Sequence, residues 1–257
     1  MSDTFTTLVF GVSDHIATIT LDRPDVLNAF DQVMLDEFRA VWHRCRQDDD
    51  IRVVVLQANG DRAFSTGVDR TKGRFRHPNP WSEDDPGHFL GAKQNRVYKP
   101  LICAVHGIAA GGAFYWLNEA DVIICSDDAS FFDPHTSYGM VSALEPIGLL
   151  GRIPFGEVMR FALFGLDERI SAATALRIGL VSEVVPVPEL RARARALASR
   201  LVVKPPLALQ GTVKAIWDAR HLSAGGRADV PLVYPQLANP TSKLEMDQIA
   251  RTEHDVR

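Results

Sequence analysis

The sequence predicts an α/β fold with a helical C-terminal region, on three observations. Short apolar runs of strand length recur in the first two thirds of the chain: VVVL at 53–56, LICAV at 101–105 and VIIC at 122–125. Segments with apolar residues at helical spacing lie between them, and strand, helix, strand calls for parallel pairing through crossovers. Beyond residue 133 the pattern turns mainly helical.

Taken in order, LVFGV (8–12) and HIATITL (15–21), split by Ser13 and Asp14, predict a β-hairpin. From Asp31, a good helix cap, Val33, Met34, Leu35, Phe38, Val41 and Trp42 recur at helical spacing up to the acidic stop at 48–50. VVVL is a buried strand. Residues 71–87, rich in charge, Pro and Gly, predict a surface loop, with a helix after it. LICAV and VIIC are strands flanking a helix built from small residues. Helices follow near 145–151, 154–163 and 170–179, the last capped by Ser171 and stopped by Gly179. LVSEVVP is a final strand, and PELRARARALASRLV and PPLALQGTVKAIWDA are two more helices. The tail from about 221 has little periodicity.

Composition bounds the function. The 257 residues, 46% hydrophobic, suffice for one large domain or one domain with a small appendage. A net charge of −4 offers no global attraction to nucleic acid or an anionic membrane, so a polyanionic ligand needs a local basic patch. Arg191, Arg193 and Arg195 are accordingly read as a solvated helix face. The acidic N-terminus lacks a basic secretory start, and no apolar run reaches the roughly 18 residues of a membrane span, which predicts a cytoplasmic protein. Cys45, Cys103 and Cys125 form no CxxC pair and read as buried free thiols. Eight histidines include no HExxH or close His/Cys cluster, so no metal is expected.

Three places could carry chemistry. In AFSTGVD (63–69), small residues and a glycine beyond a strand allow a backbone N–H, that of Val68, to face a cleft; a plain turn gives the same pattern. In AVHGIAAGGAFYWLNEADVIICS (104–126), Gly111 and Gly112 open a helix whose first N–H groups lack internal acceptors; close packing is the alternative. Two such donors, converging on one oxygen that becomes negative, make an oxyanion hole. In FFDPHTSYGMVSALEP (131–146), Asp133, His135 and Glu145 cluster in an otherwise apolar segment, which suits proton transfer or water activation.

RPDVLNAF, AFSTGVD, AVHGIAAGGAFYWLNEADVIICS and SAATALRIGLVSEVV, in that order across roughly residues 8–217, resemble the crotonase superfamily, also called the enoyl-CoA hydratase/isomerase family. The resemblance implies a crotonase-like spiral of ββα units over 1–190, a helical C-terminal trimerisation region over 191–257, and a homotrimer or dimer of trimers. It implies an acyl-CoA thioester as the small-molecule substrate, with coenzyme A present only as part of it and no permanently bound cofactor. The thioester oxygen would be held by the Val68 and Gly112 N–H groups as an enolate forms. CoA contacts fall on Asp69, Arg70 and Thr71, with Arg23 a candidate phosphate contact and Lys72, Arg74 and Arg76 a possible basic patch.

Typical hydratases of this family carry glutamates at the positions of Tyr115 and His135. Both are absent here. His135 is then expected to stand in for one, Glu145 to serve as acid or base, and Tyr115 to shape the pocket or donate a hydrogen bond. The expected function is hydration, dehydration or double-bond isomerisation of an acyl-CoA. The DPH segment also resembles superfamily members that hydrolyse a carbon–carbon bond of a β-diketone with a histidine, which implies as a second reading a hydrolase of a β-diketone or β-ketoacyl-CoA. Loss of both glutamates leaves a third reading, a CoA-binding protein with little catalysis.

Overall fold

The computed structural model describes residues 5–72, 79, 81, 85, 87, 89–220 and 234–237. The hairpin forms as expected: β1 (Leu8–Ser13) runs antiparallel to β2 (Ile16–Leu21), with Leu8 opposite Leu21 and Ser13 opposite Ile16. Asp14 and His15 in the turn have φ of 51° and 62°, the left-handed pair whose twist matches that of the flanking strands. Helix α1 (Gln32–Gln47) starts where Asp31 accepts a hydrogen bond from Met34 N at 3.1 Å. It buries Met34, Leu35, Phe38, Val41, Trp42 and Cys45. Val33, expected on that stripe, is exposed, because at about 100° per residue it lies some 200° around the helix from Leu35.

Two sheets carry the rest. A six-stranded sheet has the order β1-β2-β3-β5-β7-β10, with β3 (Val53–Ala58), β5 (Leu101–Val105), β7 (Val122–Ser126) and β10 (Glu183–Val185). Every pair from β2 onward is parallel. A smaller sheet joins β4 (Ala63–Ser65), β6 (Ile108–Ala110), β8 (Ser130–Phe132) and β9 (Ile170–Ser171). Thus β3, β5 and β7 each lead into a strand of the small sheet before the chain returns through helix or loop. This repeat is the spiral of ββα units.

Burial explains the unbroken apolar runs. Along β3, Val53 and Val55 face one core while Val54 and Leu56 face the other. The first core is covered by α6 (Leu190–Val202), whose Leu190, Ala194, Ala198 and Val202 recur every four residues. The second lies between the sheets and α1. Of the arginines read as a solvated face, Arg191 donates to Ala58 O at 2.8 Å, while Arg193 and Arg195 pair with Glu183 and Asp14 at 2.6 and 2.5 Å. Cys45, Cys103 and Cys125 are buried free thiols, and burial raises Cys45 and Cys125 to about 12.

Other helices confirm or correct the expected ones. α3 (Leu144–Leu149), α4 (Phe155–Phe164) and α5 (Ala172–Ile178) follow the reading, α5 with Ser171 as cap and Gly179 at φ 82° as its stop. The helix expected after residue 87 is a run of turns over 89–96, where the Asn95 amide takes the Phe89 and Gly91 carbonyls that a helix would use. The helix expected from Gly111 is one 3₁₀ turn (Gly111–Ala113) followed by a four-residue α2 (Phe114–Leu117).

The chain forms two compact units, Met1–Pro206 and Leu207–Arg257. The second contains most of α7 (Pro206–Arg220), where Lys214 and Asp218 pair at 2.7 Å and the Tyr234 hydroxyl donates to Asp218. Most of the 71–87 loop, including Arg74 and Arg76, and most of the tail from 221 lie outside the described residues. Among the described residues no helix is long and apolar enough to cross a membrane.

Candidate active site

Two glycines bring distant backbone segments together. Phe30 N donates to Gly67 O and Asp69 N donates to Phe30 O, both at 2.8 Å, so residue 68 sits in a parallel bridge with its own N–H turned away from Phe30. That N–H has no backbone acceptor among the described residues. Gly112, second in its 3₁₀ turn, has an N–H preceding the first internal hydrogen bond. A Cβ on Gly67 would lie 2.6 Å from Gly112 N, and one on Gly112 would lie 2.7 Å from Phe30 Cε1. Gly67 also has φ 83°. Only glycine at both positions lets the segment leading into Val68 pack against Gly112, and a pair of backbone N–H donors set so close can hold an oxygen that gains negative charge. The helix behind Gly112 is too short for its dipole to matter greatly, so the donors act by position.

A proton-sharing cluster stands beside them. A Cβ on Gly111 would meet Pro134 Cδ at 3.5 Å and His135 Cε1 at 3.9 Å, which places the imidazole against the glycine turn. His135 Nδ1 lies 2.5 Å from Asp133 Oδ1, and Glu145 Oε2 lies 3.9 Å from the same nitrogen. Asp133 is wholly buried and accepts a second hydrogen bond from the Ser142 hydroxyl. This carboxylate therefore sets the tautomer, with the proton on Nδ1 and Nε2 left to accept one. The hydrogen bond that His135 donates to Asp133 raises the His135 pKa; burial opposes it, and the Glu145 charge adds to it. Burial raises the Glu145 pKa, His135 partly offsetting it. Ligand atoms of Asp133, His135 and Glu145 lie within 4.8 Å of one another, a grouping able to take a cation. A cation on Nδ1 would have to displace the Asp133 hydrogen bond.

Tyr115 projects from α2 into the same region. Its ring packs edge-on to Phe30 with centroids 6.2 Å apart, and a Cβ on Gly87 would fall 2.3 Å from it. The hydroxyl bonds to Asp85, and burial, followed by the charges of Asp85 and Glu145, drives its pKa far upward. Tyr115 is a permanent phenol, able to donate but not to act as a base. Asp85 was not singled out by the sequence, and Asp133 was noted only as a member of the His135 and Glu145 cluster, with no role of its own. Asp133 was visible beside His135, whereas no local signal ties Asp85 to Tyr115.

The expected CoA-contacting residues divide. Arg23 donates to Ala29 O and pairs with Asp69 at 2.9 Å and Asp31 at 3.1 Å, so its guanidinium braces the segment beyond β4 that carries Val68. Asp69 is buried and also accepts from Thr71 N at 3.0 Å and Thr71 Oγ1 at 2.6 Å. Burial acts to raise its pKa, but these hydrogen bonds and Arg23 prevail and lower it. Arg70 is exposed, its guanidinium 4.4 Å from the Tyr138 ring centroid.

A spiral of ββα units holding a backbone donor pair beside an Asp–His–Glu cluster defines a protein class able to stabilise an oxyanion while moving protons. The enoyl-CoA hydratase/isomerase family profile matches residues 11–227, and the chain belongs to that family, within the crotonase superfamily. It is similar to the (E)-benzylidenesuccinyl-CoA hydratase of Thauera aromatica, 35% identical over 210 residues and 79% of each chain. Carnitinyl-CoA dehydratase of Escherichia coli K12 is 37% identical over 196 residues, 76% of this chain and 74% of that one. An enoyl-CoA hydratase/isomerase crystal structure from Mycobacterium paratuberculosis matches with a TM-score of 0.80 and 33% identity, covering 91% of this chain and 89% of that chain.

Proposed function

We propose that the protein hydrates an enoyl-CoA, or dehydrates the corresponding 3-hydroxyacyl-CoA, through a thioester enolate. The observation that supports this is the close approach of Gly67, the residue before Val68, to Gly112, with His135 against Gly111 and Glu145 3.9 Å from His135. The thioester oxygen takes the two N–H donors, and negative charge reaching it as water adds to Cβ is held there. The water loses a proton to the His135–Glu145 pair, and the pair returns one to Cα. Syn addition needs one proton-bearing and one proton-free group, which a coupled pair holding a single proton supplies. Tyr115 shapes the acyl side of the pocket. Arg70 and Thr71 contact the CoA portion in this reading, while Asp69 and Arg23 act from behind them by fixing the 3₁₀ turn Arg70–Lys72 on which they sit. The names of the similar hydratase and dehydratase support this reaction over isomerisation.

A homotrimer or dimer of trimers belongs to the same reading, supported by exposed Val141, Ile147, Phe155 and Leu163. The reaction is tested by product analysis. Crotonyl-CoA should become 3-hydroxybutyryl-CoA, with one oxygen from solvent water. The Asp133–His135 pairing also suits water attack on a ketone, so a β-ketoacyl substrate cleaved to a new carboxylate, with crotonyl-CoA untouched, would replace hydration by carbon–carbon hydrolysis.

A further inference from the structure

Glu145 sits on an element that has little to hold it locally. α3 is six residues long, its N-cap Ala143 makes no side-chain capping bond, and Pro146 lies in its first turn. Its outward residues Leu144 and Ile147 are exposed. A helix this short is marginal unless tertiary contacts fix it. One such contact comes from the element that carries Tyr115. Asn118, the residue after α2, donates from Nδ2 to the Glu145 backbone carbonyl at 3.0 Å. Gly148, one turn on, admits the amide: a Cβ there would lie 2.1 Å from Asn118 Nδ2 and 2.8 Å from Asn118 Cβ. The Asn118 Oδ1 is buried with no hydrogen-bond partner among the described residues, so this side chain is held in place at a cost in desolvation.

We infer that Asn118 is a positioning residue for the proposed hydratase reaction: its amide, seated against Gly148, pins the first turn of α3 and so sets the Glu145 carboxyl against His135. The inference rests on the reading that Glu145 and His135 exchange the substrate's protons. Asn118 touches neither the substrate nor His135 in this account; it acts through Glu145 alone.

The test is a double-mutant cycle in crotonyl-CoA hydration, with binding of saturated butyryl-CoA measured calorimetrically beside it. Asn118→Leu keeps the branching at Cγ and removes the donor. It should lower kcat on the order of 10- to 100-fold, the range a misplaced catalytic group produces, with butyryl-CoA affinity within about twofold of wild type. In a Glu145→Gln background the same change should cost almost nothing further, because the group it positions is already disabled. Should Asn118→Leu not fold, Gly148→Ala carries the same test, since it displaces the amide without altering its chemistry. Multiplicative losses in the two backgrounds, or equal losses in kcat and binding, would reduce Asn118 to a packing residue. A wild-type protein with no turnover of any enoyl-CoA would remove the hydration reading itself, and the inference with it. Wild-type turnover with multiplicative losses would leave that reading intact and overturn the role of Asn118 alone.

Discussion

His135 owes its chemistry to two carboxyls of different character. Asp133, wholly buried and 2.5 Å away, stays with the Nδ1 proton, while Glu145, 3.9 Å away and raised by burial, is free to exchange one. Because the His135 pKa is raised, the imidazolium persists above the pH at which a free histidine gives up its proton. Activity should therefore be bell-shaped in pH. It falls on the acid side as the His135–Glu145 pair gains a second proton, and on the basic side as it loses its last one. Glu145→Gln leaves a single titrating group needed in its neutral form, so the residual activity should keep only the acid limb; a surviving basic limb would contradict the pairing. The sequence shows His135, Asp133 and Glu145 as neighbours but not their division of labour, because which carboxyl bonds the His135 Nδ1 depends on the β8 and α3 packing. Nor does it show Asp85 against Tyr115, a contact made across 30 residues by a segment without periodicity.

At the scale of elements, local rules and tertiary rules separate cleanly. The hairpin, α1 and α5 were legible because a turn, a cap or a stop announces each: Asp14 and His15, Asp31, then Ser171 and Gly179. The small sheet was not, because its strands are two or three residues long and exist only by pairing with one another. The segment carrying Val68, beyond β4, is a further case. Arg23 was expected at a phosphate, yet it bridges Asp31 and Asp69 with its side chain 14% exposed. Arg23→Ala would leave two largely buried carboxylates uncompensated and should cost about 3–5 kcal/mol, measured by denaturant unfolding at neutral pH. The Asp69 contribution has the sign of a lowered carboxylate: it is present above the unfolded aspartate pKa and lost as pH falls through the lower folded value. The loss on Arg23→Ala should shrink in acid. An unchanged midpoint at neutral pH would mean that the bridge contributes nothing.

Across the whole molecule, the spiral is what turns three separate segments into one site. Each passage from the large sheet to the small one ends near the same place, so residues 67–69, 111–115 and 133–145 meet although some 78 positions separate the first from the last. The alternation of strand and helix in the sequence carried the fold class, and the order of the motifs carried the family. The mutual approach of Gly67 and Gly112 required the fold. The central claim is that this meeting place is a hydration site in which His135 moves a proton and does not bind the thioester. The most direct measurement is the loss of enoyl-thioester absorbance from crotonyl-CoA in wild type and His135→Ala, with acyl-CoA affinity measured in parallel. The account predicts that the variant loses 10²- to 10⁴-fold in kcat with its affinity little changed. Equal loss of turnover and affinity, or undiminished hydration, would contradict it.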